Sequence, residues 1–301
     1  MTAVVARAPA KVNAQLTVGP LRPDGFHELR TVYLAVSLFD TVTVRPGEGL
    51  SVAVTGVDAD AVPTDRRNLV WRAAELLAEH AGVRADASIA IAKSIPAAGG
   101  LAGGSADAAA ALVALDELWG TRASRADLDR LAALLGSDVP FSLLGGVALG
   151  SGRGEQLSPV LAGTASHWVL GLAGDGLSTP AVYAELDRLR AAGTVPDGER
   201  LTTADPVIAA LRSGPPAALA VALSNDLQAP ALALRPELGR ALRAATDAGA
   251  LAALVSGSGP TVAALAPDEQ TAIRLAAELA GAGVFRTVRA VHGPVPGARL
   301  V

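Results

Sequence analysis

Pro96-Ala97-Ala98-Gly99-Gly100-Leu101-Ala102-Gly103-Gly104-Ser105-Ala106-Asp107 is the stretch on which the reading of this chain turns. It follows Ser88–Ala92, where Ile89 and Ile91 alternate with small residues as in a strand, and it opens an Ala-rich helical stretch from about Ser105 to Trp119. Glycines at such a junction let the backbone approach a phosphate closely, and free N–H groups at the helix start point at the anion. The helix dipole adds roughly 0.3–1 kcal/mol for each well-placed charge. Ser105 reads as an N-cap, or as a hydroxyl offered to phosphate or Mg²⁺. A tight connection between packed elements would use the same small residues, so the loop alone leaves both readings open. Two common nucleotide loops do not fit. A Walker A loop needs Gly-Lys-Ser/Thr where this chain has Gly104-Ser105-Ala106, and the run lacks the G-x-G-x-x-G of a Rossmann turn.

Outward from the loop, the chain to about Val44 is strand-rich. Val4–Arg7 enters a strand, Val12–Val18 alternates, and Thr41–Val44 reads TVTV. Arg22-Pro23-Asp24-Gly25 is a turn, since Pro fixes φ and Gly accepts positive φ. Ser51–Thr55 reads as a further strand, and Asn68–His80 as a helix with Leu69, Ala73, Leu76 and Leu77 on one face. Ser124–Leu135 is a helix with an N-cap serine, and Gly145–Gly154 and Gly174–Pro180 read as loops. Beyond them, helices over Ala181–Arg190, Pro236–Ala248 and Asp268–Ala280 mix with strands over Trp168–Leu172, Ala253–Ser256 and Thr261–Leu265. The pattern predicts an α+β protein of two domains, 1–160 and 161–301.

The 301 residues suffice for a large core; half are hydrophobic and the net charge is −4. Arginines are scattered rather than clustered, so no nucleic-acid partner is expected. The absence of cysteine excludes disulfides, thiolate metal sites and a Cys nucleophile. Met1–Asn13 lacks the apolar run of a signal peptide, and no later stretch reaches membrane-spanning length. A soluble cytoplasmic protein is expected, with no membrane partner.

Pro96–Ala108 resembles the phosphate loop of the GHMP kinases, and its form GGLAGGSADAAAAL is most similar to the branch acting on diphosphocytidyl-methylerythritol. Ala106 stands where many members have a second serine. Five other segments agree with it. Ala8-Pro9-Ala10-Lys11-Val12-Asn13 resembles the PAKxN motif, and on a strand Lys11 and Asn13 face one side. Arg22–Leu29, RPDGFHEL, resembles a segment of the cytidine-diphosphate branch, with Phe26 where tyrosine is common. Gly136–Phe141, GSDVPF, resembles the segment with the catalytic aspartate, and Ser256–Thr261, SGSGPT, the third GHMP motif. Thr179-Pro180-Ala181-Val182-Tyr183 resembles the segment that supplies a second aromatic face, and Tyr183 is one of only two tyrosines.

Taken residue by residue, each of these segments also has a plain structural use: a surface lysine, a Phe–His pair split between core and surface, a turn aspartate, a Gly-rich turn between strands. Their joint order carries the resemblance. It implies a two-domain GHMP kinase fold, an N-terminal domain like that of a ribosomal protein and a C-terminal α/β sandwich. It implies ATP and Mg²⁺ as cofactors, with Lys11 and Asp138 catalytic. Asn13, Phe26, His27, Thr179 and Tyr183 are implied for the substrate, with Phe26 and Tyr183 sandwiching the cytosine. Asn68, Lys93, Pro96, Gly99, Gly100, Leu101, Ala102, Gly103, Gly104 and Ser105 are implied for ATP, with Ser105 also a metal candidate. Gly257, Ser258 and Gly259 would support the phosphates. An acceptor of the mevalonate or homoserine type, or a non-catalytic member of the fold, are the alternatives.

Overall fold

In the computed structural model, which describes residues 3–301, two long strands dominate the first half: β1 (Val4–Leu21) and β2 (His27–Arg45) pair antiparallel. Their turn is closed by Gly25 N–H donating to the Arg22 carbonyl (3.0 Å), with Gly25 at φ 81°. Ala8 to Val18 are all buried. Ala10, Val12 and Ala14 face the larger core, while Lys11 and Asn13 face the other way. The register slips between Asn13 and Gln15, and beyond the slip Leu16 and Val18 join a second core instead. One strand thus serves two cores, and its polar residues emerge at the seam.

The chain continues through β3 (Leu50–Gly56), α1 (Leu69–Ala81), β4 (Ala87–Lys93), α2 (Gly103–Trp119), α3 (Arg125–Leu135) and α4 (Val139–Leu144). β5 (Val147–Ser151) and β6 (Gln156–Val160) form a hairpin, and β7 (Ser166–Leu172) begins the second sheet. There follow α5 (Thr179–Ala191), α6 (Asp205–Ser213), α7 (Pro216–Ala222), β8 (Ser224–Asn225), α8 (Gln228–Leu234) and α9 (Glu237–Asp247). β9 (Ala252–Val255), β10 (Thr261–Ala266), α10 (Glu269–Gly281), β11 (Thr287–Gly293) and β12 (Arg299–Leu300) complete it.

The eight-stranded sheet runs β12-β1-β2-β4-β3, with β5, β6 and β8 attached at its side, and the four-stranded sheet runs β11-β7-β10-β9. α2 is buried along most of its length by Ala106, Ala108–Ala111, Leu112, Ala114 and Leu115. Its alanines let it sit close between α1 and the β1–β2 hairpin, an arrangement only small side chains allow.

Two expectations are corrected. Helix α2 starts at Gly103, not Ser105; Ala102 occupies the cap position in the left-handed conformation (φ 60°), and no side chain caps the helix. Ser105 is therefore inside the first turn and is not the N-cap. The stretch Gly145–Gly154, expected as loop, contains β5, whose Val147 and Ala148 are buried and pair with Leu34 and Tyr33 of β2.

Candidate active site

The seam between the two cores opens into a cavity of about 720 Å³, within the range of small-molecule sites. Lys11 and Asn13 reach it from β1, and Gly99, Gly100, Ala102, Gly103, Gly104 and Ser105 from the Gly-rich loop. Asp138 enters ahead of α4, Thr179 and Tyr183 from α5, Phe26 and His27 from the β1–β2 turn, and Gly257 and Ser258 from the β9–β10 turn. Segments far apart in sequence thus meet around one space.

Lys11 is buried, and its Nζ donates to Asn13 Oδ1 at 2.7 Å and to the Gly100 carbonyl at 2.9 Å. Asp138 Oδ2 lies 4.0 Å away. Burial pushes the Lys11 amine below its ordinary value of 10.5, and the Asp138 charge offsets part of that shift. Asn13 Nδ2 donates to Thr31 Oγ1 (2.7 Å), which fixes the amide so that its oxygen faces the lysine.

The Tyr33 hydroxyl donates to Asp138 Oδ1 at 3.0 Å while its ring stacks on Phe141, centroids 4.8 Å apart. Burial, reinforced by the Asp138 charge, raises the phenol well above 10, so it stays a neutral donor. Asp138 is thus held between a cation and a hydroxyl, with its carboxylate facing the cavity.

The Gly-rich loop Gly99–Ser105 is fastened on several sides. The Lys11 N–H donates to the Leu101 carbonyl (3.2 Å), the Thr261 N–H to the Gly99 carbonyl (3.3 Å) and Ser256 Oγ to the Gly100 carbonyl (3.2 Å). The left-handed cap at Ala102 directs the start of α2 into the cavity with no side chain competing for its donors. Thr179 and Ser258 share a hydroxyl hydrogen bond (2.9 Å) that ties α5 to the β9–β10 turn.

Five implied residues sit away from the cavity wall. Pro96, Leu101 and Gly259 lie behind the loop, with Gly259 N–H donating to the Ser256 carbonyl (2.9 Å). Asn68 caps α1 through Val70 N–H (2.9 Å) and donates to the Pro63 carbonyl (2.7 Å), so its amide is engaged away from the wall. Lys93 differs most from expectation. Its buried amine is bonded by Asp40 and, at 2.6 Å, by Asp107. Asp40 Oδ1 in turn accepts from Ser94 and Ile95 N–H (2.5 and 2.8 Å). Lys93 braces both ends of the Gly-rich loop from beneath, and its ammonium does not face the cavity. Burial raises Asp107 most, with the Asp40 charge adding to it, so the group as a whole favours a proton over a second buried negative charge.

The aromatic side also differs. Tyr183 stacks on His27 (centroids 5.2 Å, 29° between planes), and His27 Nε2 bonds Asp187 Oδ1 at 2.9 Å. Phe26 is half exposed, with the Arg153 guanidinium 4.9 Å above its ring. Phe26 and Tyr183 line one cavity, but each already carries a polar partner on one face.

Sequence reasoning missed Tyr33, Arg153 and Asp187. Tyr33 carried a signal, being the other of two tyrosines and on a strand. Arg153 and Asp187 carried none, because only the packing of the β5–β6 turn and α5 against the first hairpin brings them to the site.

The profile of the GHMP kinases N terminal domain matches residues 68–146, and that of the GHMP kinases C terminal matches 207–284. The chain is 60% identical over 298 residues to a 4-diphosphocytidyl-2-C-methyl-D-erythritol kinase of Rhodococcus jostii, covering 99% of this chain and 95% of that protein. It is 58% identical to the Mycobacterium tuberculosis protein of the same name, covering 99% and 93%. A crystal structure of a 4-(cytidine 5'-diphospho)-2C-methyl-D-erythritol kinase superposes with a TM-score of 0.77 at 34% identity, covering 96% of this chain and 98% of that one. A homoserine kinase from Cytophaga hutchinsonii shares the fold, with a TM-score of 0.75 at 19% identity and coverage of 100% and 98%. The chain belongs to the GHMP kinases and, within them, to the 4-diphosphocytidyl-2-C-methyl-D-erythritol kinase family.

Proposed function

We propose that the chain transfers the terminal phosphoryl group of ATP to the 2-hydroxyl of 4-diphosphocytidyl-2-C-methyl-D-erythritol, a step of the non-mevalonate route to isoprenoid precursors. The observation that supports this most is the shared cavity. It joins an uncapped helix N-terminus, a Lys11–Asp138 pair and a hairpin tip carrying Phe26 and His27.

Phosphoryl transfer needs in-line placement and neutralisation of charge more than covalent chemistry. Gly99–Ser105 and the start of α2 would hold the ATP phosphates through backbone N–H groups. Asp138 would accept the proton of the 2-hydroxyl as its oxygen bonds the terminal phosphorus and the bond to ADP breaks. That hydroxyl is tertiary and weakly acidic, so Asp138 orients it first and takes the proton late. Tyr33 and Lys11 hold the carboxylate in place, and Lys11 would polarise the attacking oxygen. Phe26, His27 and Tyr183 would receive the cytosine. Its hydrogen-bonding edge gives stronger discrimination than stacking alone, because a wrong edge leaves buried polar groups unpaired.

Among the described residues no group of three or more His, Asp or Glu is placed to hold a metal ion. The available donor set is oxygen, from phosphates and the Ser105 hydroxyl at the cavity wall, which suits Mg²⁺. When bound, Mg²⁺ neutralises charge on the phosphoryl oxygens. No helix among the described residues is long and apolar enough to cross a membrane, and a cytoplasmic location, with its supply of ATP, is part of the proposal. So is a division of the chain into domains near residue 160.

Phosphorus NMR of the reaction product tests the assignment. A new phosphomonoester on the substrate, with the diphosphate signals retained, is expected. Loss of the diphosphate, or ATP hydrolysis without a phosphomonoester, would refute it.

A further inference from the structure

Two Lys or Arg side chains line the cavity, Lys11 and Arg153. Lys11 is largely committed, with two of its three donors on Asn13 and the Gly100 carbonyl and its charge beside Asp138. Arg153 is not. Among the described residues nothing accepts a hydrogen bond from its guanidinium, and its nearest carboxylate oxygen, on Glu155, is 3.9 Å away. Glu155 is instead turned to the Arg153 backbone N–H (2.7 Å). A guanidinium with five unused donors at a cavity wall is made for a bidentate anion.

The position is also built. Gly152, just before Arg153, donates its N–H to Glu28 Oε1 (3.1 Å) and accepts from Leu29 N–H (2.7 Å). Glu28 is braced by Arg22 (3.1 Å). The β5–β6 turn is thereby fastened to the hairpin that carries Phe26 and His27, and the guanidinium is held over the Phe26 ring. The cavity's acids, Asp138 and Asp187, leave no surplus positive charge there for an anionic acceptor.

We propose that Arg153 is a specificity-determining residue that binds the diphosphate of the acceptor and so selects nucleoside-diphosphate-linked alcohols over uncharged ones. The inference rests on the functional reading above and deepens it. The ATP phosphates have the helix N-terminus; the acceptor's phosphates, leading away from the base at Phe26, have Arg153. Stacking on Phe26 keeps the guanidinium pre-ordered, so little side-chain entropy is lost when the phosphates arrive.

The test compares cytidine and cytidine diphosphate as competitors of the acceptor in the wild type, Arg153→Ala and Arg153→Lys. The wild type is expected to bind the diphosphate at least about tenfold more tightly than cytidine, as charge-assisted hydrogen bonds imply. Arg153→Ala should lose most of that preference, with cytidine inhibition and the KM for ATP changed less than about threefold, and Arg153→Lys should restore part of it. Equal weakening of cytidine and its diphosphate would overturn the inference, since a purely structural or base-stacking role acts on both. An unchanged preference in Arg153→Ala would overturn it too. A wild type that phosphorylates no cytidine acceptor would instead refute the functional reading and take this one with it.

Discussion

Gly100→Ala tests how the two Gly-rich turns hold Lys11 at the cavity wall. Gly100 has φ 77°, and a Cβ built there would lie 2.2 Å from the Ser256 carbonyl oxygen and 3.0 Å from Gly259 N. Both neighbours are backbone, so neither can swing aside as a side chain would. Left-handed backbone costs a non-glycine residue about 1–2 kcal/mol. Reaching van der Waals distance then requires the loops to part by more than about 1 Å. The Gly100 carbonyl holds Lys11 Nζ and Ser256 Oγ, so that movement shifts the lysine and the Gly-rich loop together. A displacement of about 1 Å at a reacting centre lowers turnover on the order of 100-fold, equivalent to about 2.7 kcal/mol of barrier. Steady-state kinetics alongside thermal unfolding separates this loss from simple destabilisation. Gly82→Ala is the control, because Gly82 has φ 66° but nothing within 4 Å of its built Cβ. It should lose about 1 kcal/mol of stability with kcat unchanged. A folded Gly100→Ala protein with kcat within about threefold of wild type would refute the reasoning, since that is far short of the loss expected from geometry.

Other outcomes follow from the same contacts. Tyr33→Phe keeps the stack on Phe141 but removes the bond to Asp138; kcat should fall about tenfold, the worth of a hydrogen bond to a charged group. An unchanged kcat would mean that Lys11 alone orients the carboxylate. Phe26→Ala should raise the KM of the acceptor well above any change for ATP, and equal losses for both would contradict the cytosine assignment. Because burial lowers the Lys11 amine, the cation is lost as pH rises through its folded value, so turnover should decline on the alkaline side below pH 10.5. A profile flat up to that pH would show that the charge is not required. Lys93→Met leaves Asp40 and Asp107 buried without their cation, and urea unfolding should report a loss of about 3–5 kcal/mol. Adding Asp107→Asn should recover part of that loss, and a failure to recover any would contradict the buried-charge account.

The fold was legible where period and punctuation agree. Val12–Val18 and Ile89–Ile91 alternate, Asn68 and Ser124 cap helices, and Gly25 turns the first hairpin, all local effects that a single segment carries. The start of α2 was not. Ala102 takes a left-handed cap that alanine rarely adopts, held there by contacts from β1 and the β9–β10 turn. Lys93, which the resemblance implies for ATP, has its amine bonded by Asp40, 53 residues away in sequence, a contact no local pattern encodes. Lys11 and Asn13 could be placed on one face by strand parity, yet the slip that turns Leu16 to the same cavity depends on pairing with β2. Arg153 and Asp187 reach the site only through tertiary packing, which no local pattern encodes.

The most direct measurement is ADP release by the purified protein with MgATP, comparing 4-diphosphocytidyl-2-C-methyl-D-erythritol, mevalonate, homoserine and no acceptor. The account predicts turnover with the cytidine substrate alone, abolished by Asp138→Ala while that substrate still binds. Turnover with mevalonate or homoserine, or near-normal turnover in the Asp138 variant, would contradict it.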